Sequence, residues 1–319
     1  MKLAISIEGM IGLTWLHWKR LVTEIERMGF VGLFRSDHFT LLDPPDLDSL
    51  ELIVSLTYLA SHSQHLHFGS LVAPLSFRDP IMLARQAMAL DDLSGGRMIL
   101  GVGAGWLERE HTMFGYNLGD IATRMARLEE GLEVITRLIR SREPVTFEGR
   151  FYQLQEAHLL PHPQRATPIL VGGNGPKRTL PLVARYADIW GCQLATPDVF
   201  RERSALLDEL LHQAGRQSTD VKRTVMLPVI CWRSTEELER FASEFRRAIP
   251  HFGQVPTEGI LGFLQTNLAA IMGTPESVIE QMRVYEAAGV EEMMIQYWIV
   301  DNIEGLETIA KHILPHFTT

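Results

Sequence analysis

Cysteine is scarce in this chain, with only Cys192 and Cys231 among 319 residues. Both stand in apolar surroundings, which excludes a disulfide framework and a CxxC metal knuckle and fits a reducing cytoplasm. Basic charge is also short: 30 Lys and Arg against 39 Asp and Glu leave a formal net charge of -9. A concentrated basic face is not expected, so nucleic acid is a poor partner and a small molecule a better one. Long apolar runs are missing, and no uninterrupted stretch approaches a membrane span. The opening Met1-Lys2-Leu3-Ala4-Ile5-Ser6-Ile7 meets Glu8 too soon to serve as a signal peptide's apolar region. Internal repeats, low-complexity tracts and Ser/Gly linkers are absent, so residues 1–319 read as a single domain.

What the chain does have is alternation. Hydrophobic residues make up 46% of it, enough for a large core. Short β-like runs at Lys2 to Ile7, Val31 to Arg35, Leu66 to Val72, Arg97 to Val102, Ile169 to Val171, Asp188 to Cys192, Thr224 to Ile230 and Glu292 to Gln296 are separated by segments of helical period. Eight strands with helices between them favour an α/β fold of the closed (β/α)8 TIM barrel kind over an open doubly wound sheet. Insertions are expected after strands 4 and 7. The first, Pro144 to Glu156, reads as a hairpin turning at Glu148-Gly149. The second, around Ile249 to Asn267, has glycines among apolar residues and reads as a mobile lid, an irregular connector or a subunit contact.

Three motifs carry chemistry. In Val31-Gly32-Leu33-Phe34-Arg35-Ser36-Asp37-His38-Phe39 an apolar run breaks into an acid and an imidazole at a strand's carboxyl end, where barrel enzymes build their sites. Asp37 and His38 are therefore candidate catalytic residues, against the alternative of a turn cap and a structural histidine. A barrel brings Glu8, at the end of the first strand, close to them, so that Asp37, with Glu8, is expected to set the His38 pKa. In Leu100-Gly101-Val102-Gly103-Ala104-Gly105-Trp106 the glycines are spaced for a tight turn or for close approach of a flat ring, and not as a dinucleotide fingerprint. Ile169-Leu170-Val171-Gly172-Gly173-Asn174-Gly175-Pro176-Lys177 passes from a strand through glycines to Pro176 at an expected first helical turn. It reads as a phosphate cradle made from backbone amides, or as a plain flexible loop. The histidines in Ser61 to His67 lie on the opposite barrel face and are not read as a metal site. No G-x-S-x-G elbow supports hydrolysis.

Together with Leu71-Val72-Ala73-Pro74, Phe77-Arg78-Asp79-Pro80, Leu93-Ser94-Gly95-Gly96-Arg97 and Val145-Thr146-Phe147-Glu148-Gly149-Arg150, these motifs resemble the bacterial luciferase-like family of flavin and deazaflavin oxidoreductases. The resemblance runs along essentially the whole chain. It implies a cofactor ring at the carboxyl ends of the strands, with its phosphate on Gly172, Gly173, Asn174 and Gly175. Gly103, Ala104, Gly105 and Trp106 would stand beside the ring, and a bulge with a non-prolyl cis peptide at Leu71-Val72 would support its back face. The Ser-Asp-His-Phe strand end resembles the branch that uses coenzyme F420, with His38 beside the reacting ring. That branch's sugar-phosphate enzymes carry a glutamate and a tryptophan where this chain has Trp106 and Leu42, which implies a less polar substrate. The resemblance also implies a homodimer. Two other functions stay open: an FMN-dependent monooxygenase using oxygen, and a cofactor-binding barrel without catalysis.

Overall fold

The computed structural model describes residues 1–162 and 165–317. Eight parallel strands close into a barrel: β1 Lys2–Ile7, β2 Gly32–Arg35, β3 His67–Ser70, β4 Met98–Gly103, β5 Ile169–Gly172, β6 Ile189–Gln193, β7 Lys222–Cys231 and β8 Glu292–Tyr297. Each strand pairs with the next, and β8 closes the ring against β1, with Lys2 opposite Glu292 and Ile7 opposite Tyr297. Side chains alternate along each strand. One set, Ala4, Phe34, Leu71, Ile99, Leu170, Ile189, Met226 and Met294, fills the barrel interior. The other, such as Leu3, Ile5 and Ile7 of β1, packs against the helices. Burial on both faces is why these strands read as nearly continuous apolar runs.

Local signals set the helix ends. Trp15–Met28 starts with the Thr14 side chain accepting from the His17 amide and stops at Gly29, whose φ of 87° suits a residue without Cβ. Pro80–Leu93 opens on proline behind an Asp79 cap, and Ile121–Arg140 opens behind Asp120.

Several expectations need correction. The third strand ends at Ser70 and resumes as Ala73–Pro74, and the Leu71-Val72 peptide between them is cis, as the resemblance implied. The hairpin pairs Val145–Glu148 with Gln153–Ala157, so its turn spans Gly149 to Tyr152 instead of closing at Glu148-Gly149. Glu130 holds that turn by accepting from the Arg150 and Phe151 amides. The second insertion, read among other things as an irregular connector, is largely helical. The helix Thr235–Ala248 leads through a short 3-10 turn into the helix Thr257–Leu268, which buries Ile260 and Leu264, and Ile271–Gly273 then pairs with the end of β7. Gly259 and Gly262 lie inside that second helix, where burial of its apolar side offsets their poor propensity.

At the amino end of the barrel Glu292 is fully buried. Its carboxylate accepts from His67 Nε2 at 2.9 Å and Lys222 Nζ at 2.6 Å. Burial alone would push the Glu292 carboxyl up, but His67 and Lys222 together hold it below its usual 4.5. No helix among the described residues is long and apolar enough to cross a membrane.

Candidate active site

His38 follows β2 at the carboxyl rim, and its Nδ1 lies 3.0 Å from Glu110 Oε1. Glu110, on the helix Glu108–Phe114, is only 1% exposed. Its second oxygen accepts from the Phe39 amide at 3.0 Å, so both ends of the carboxylate are tied to the β2 exit. Burial alone would pull the His38 imidazole down. The hydrogen bond to Glu110 and that residue's charge outweigh it, Glu8 and Asp37 add less, and the net shift is upward from 6.5. With Nδ1 engaged, Nε2 is the free proton-exchanging atom. The His38 ring meets Trp106 edge-on, with centroids 5.6 Å apart.

Asp37 and Glu8, expected to set the His38 pKa, both raise it, but less than Glu110 does. Asp37 receives a bidentate pair from Arg78 at 2.8 and 2.9 Å, and Arg78 also bonds Glu51 at 2.7 Å. Asp37 therefore ties the turn after β2 to the segment that carries Arg78. Glu8 does reach the rim, where it is 7% exposed and accepts from Gln296 Nε2 at 2.5 Å. Arg35 points outward, where it bonds the Leu50 and Ser36 carbonyls and the Ser55 hydroxyl.

The glycines at the strand ends have a specific neighbour. A Cβ on Gly101 would collide with the Ser70 carbonyl, and one on Gly103 or Gly172 would press on the Val72 methyl groups. Val72 thus projects between β4 and β5 and fills the space in front of both glycines. Gly105, at φ 78°, turns the chain against Ser76 and presents Trp106, which is 58% exposed. Ala104 beside it is half-buried.

The loop after β5 differs in detail from the expected cradle. The Gly173 amide is spent on the Gly191 carbonyl, and the helix begins at Thr179, three residues past Pro176, with the Thr179 and Leu180 amides both directed at the Gly175 carbonyl. Asn174 clasps the Gln193 backbone through both ends of its side-chain amide. Lys177 and Arg178 follow, and Arg178 stands close enough to Asp120 to feel its charge. One turn along from that cap is Arg124, which sequence reasoning missed. Its Nη1 donates to the Gly105 carbonyl at 3.0 Å, while its buried Nε has no partner. A guanidinium with an unspent donor between the Gly105 turn and the β5 loop suits a phosphate.

The model of the luciferase-like monooxygenase family matches residues 12–292. The chain belongs to that family. An F420-dependent glucose-6-phosphate dehydrogenase of Kineococcus radiotolerans is 31% identical over 205 residues, a match spanning 63% of this chain and 60% of that enzyme's length. The enzyme of the same name from Intrasporangium calvum is 31% identical over 91% of both chains. Among solved structures, an F420-dependent secondary alcohol dehydrogenase in complex with an F420-acetone adduct superposes with a TM-score of 0.84 at 19% identity, covering all of both chains. That likeness establishes the luciferase-like barrel as the fold.

Leu42 and Trp106, which the resemblance ties to a less polar substrate, are exposed at the rim, 60% and 58% respectively. Trp298 is buried edge-on against Phe245, whereas Trp15 packs one side against Tyr58 and stays 39% exposed.

Proposed function

We propose that this luciferase-like protein is a coenzyme F420-dependent oxidoreductase acting on a small organic substrate. The observation that carries the reading is the His38–Glu110 pair, set beside Trp106 at a rim that also holds Glu8 and leads to the β5 loop. The orphaned Arg124 donor tests the fit of the cofactor: a buried N–H without a partner is costly, and a phosphate would satisfy it. Arg124, Lys177 and Arg178 would hold the phosphate end, with Asn174 fixing the loop against Gln193. Leu71 and Val72 would form the floor under the ring, and Gly103, Ala104, Gly105 and Trp106 its border.

When bound, the deazaflavin supplies two-electron hydride chemistry. The protein supplies the proton. His38 Nε2 takes a proton from, or returns it to, the reacting oxygen, and Glu110 stabilises the imidazolium that forms. Glu8 adds negative charge from the neighbouring strand β1. The names of the relatives support the cofactor, and the replacement of a glutamate by Trp106 argues against a sugar phosphate as substrate. Half-exposed Met113, Phe114 and Tyr116 support a homodimer contact, and two free cysteines suit a cytoplasmic setting.

Titrating the apo-protein with coenzyme F420 and with FMN, read by tryptophan quenching, is expected to show micromolar F420 binding. Binding of FMN alone would overturn the assignment in favour of the monooxygenase reading. Arg124→Met should weaken F420 binding by about tenfold or more, the scale of one charged hydrogen bond.

A further inference from the structure

The helix Glu108–Phe114 that carries Glu110 buries two side chains, and both are polar: Glu110 and His111, each 1% exposed. No described side chain caps its start at Leu107, and so short a helix does not hold itself together in water. Arg109 pairs with Asp46 in contact with solvent, where an ion pair holds little, and Phe114 is half-exposed. Where Glu110 stands therefore depends on what its neighbour grips.

His111 is engaged at both ring nitrogens. Nδ1 lies 2.7 Å from the Leu107 carbonyl and Nε2 lies 2.8 Å from the Ser76 hydroxyl. A carbonyl can only accept, so Nδ1 carries the proton and Nε2 of the neutral ring accepts from Ser76. The first bond ties the helix to its own start. The second ties it to another element, since Ser76 lies just past the resumed strand Ala73–Pro74. Ser76 is itself fixed, packed so closely against Gly105 that a Cβ there would strike its hydroxyl. Consecutive helix positions face different sides. Glu110 thus reaches the β2 exit while His111 holds the segment after β3.

We propose that His111 is the positioning residue of the acid/base pair: through Ser76 it sets the helix so that Glu110 meets both His38 Nδ1 and the Phe39 amide. Both of its nitrogens are spent away from His38, so it acts through Glu110. The importance of the pair for turnover rests on the oxidoreductase reading. The geometry of the pair does not, and the two are measured separately.

The His38 imidazole is titrated by NMR in wild type, His111→Leu and Ser76→Ala, its signal assigned by its loss in His38→Ala. Neither cofactor nor substrate is needed. Three carboxylates act on that imidazole: Glu110 most, then Glu8 and Asp37. Glu8 is held by Gln296 and Asp37 by Arg78, both outside the helix, so a displaced helix withdraws Glu110 alone. In both variants the His38 midpoint should fall by about one pH unit, a tenfold loss of proton affinity and the scale of a charged hydrogen bond. In the Glu110→Gln background the same substitutions should move it no further, because the carboxylate through which they act is gone. The proposal fails if the midpoint stays at the wild-type value, or if it falls equally in the Glu110→Gln background. A lowered melting temperature with an unmoved midpoint marks a purely structural histidine. Should His111→Leu not fold, Ser76→Ala decides. Turnover is scored last: kcat should drop about tenfold with KM within a few-fold, part of the full effect of an acid/base group. A shifted midpoint with unchanged turnover keeps the positioning role and overturns the use of the pair in the oxidoreductase reading.

Discussion

His38→Ala is expected to lower turnover by ~100-fold or more, the usual scale for losing a positioned acid/base group, with cofactor affinity within a few-fold of wild type. The split follows from geometry: His38 contacts Glu110 and Trp106, while the residues placed around the phosphate lie on the β5 loop and the helix Ile121–Arg140. Glu110→Gln separates the proton-transfer role from a packing role. A neutral amide of the same shape removes the charge that raises the His38 pKa and leaves the burial that lowers it. In the direction that needs a neutral imidazole as base, the wild-type rate rises with pH through a value above 6.5. In the variant that limb moves to lower pH, and the rate at high pH falls because the imidazolium loses its partner. Unchanged turnover in His38→Ala would return the residue to a structural role. An unmoved limb in Glu110→Gln would detach the pair from the chemistry.

The second large effect belongs to the opposite end of the barrel. Lys222→Met leaves the buried Glu292 carboxylate with His67 alone and should cost about 3 kcal/mol at neutral pH, the lower end for removing one partner of a buried pair. Glu292 has a depressed folded-state pKa, so in wild type its contribution is present above 4.5 and is lost as pH falls through the folded value. In Lys222→Met the carboxylate can relieve its burial by protonating, so the gap between the two unfolding curves should narrow on acidification. The double variant Lys222→Met/Glu292→Leu should recover most of the loss, because no buried charge is then left over. Denaturant unfolding of the three proteins across that pH range checks all three statements. A cost below 1 kcal/mol for the single variant would show that water reaches Glu292.

The barrel was legible in the sequence because its strands are buried on both faces and are separated by well-capped helices. The Gly29 stop, the Pro80 start and the eight strand positions all follow from that patterning. His38 was legible too, as a polar break at a strand end. Its partner was not. Glu110 lies on a seven-residue helix with no apolar period to mark it, and it reaches His38 across 72 positions of chain. Adjacent in sequence, Asp37 looked like the natural partner, but consecutive side chains leave a strand end on opposite sides, and Asp37 turns to Arg78. Arg124 was hidden in the first turn of a long amphipathic helix, where an arginine ordinarily faces solvent. In Ile249 to Asn267 the glycines suggested a loop, whereas tertiary burial of Ile260 and Leu264 overrides that preference.

The seat of Val72 ties three segments of the chain together as one unit of variation. A methyl group on Gly103 would press on Val72 Cγ2, but the next atom behind it, Val72 Cβ, lies at an ordinary 3.6 Å. Gly103→Ala is therefore barred in this background and permitted once Val72 becomes alanine, the volume passing from one strand to its neighbour. Residues far apart in sequence thus share a single allowance of space. A protein of this family that lacks the glycine at this position should show its compensation at the equivalent of Val72, so that the filled volume stays the same while its ownership changes hands.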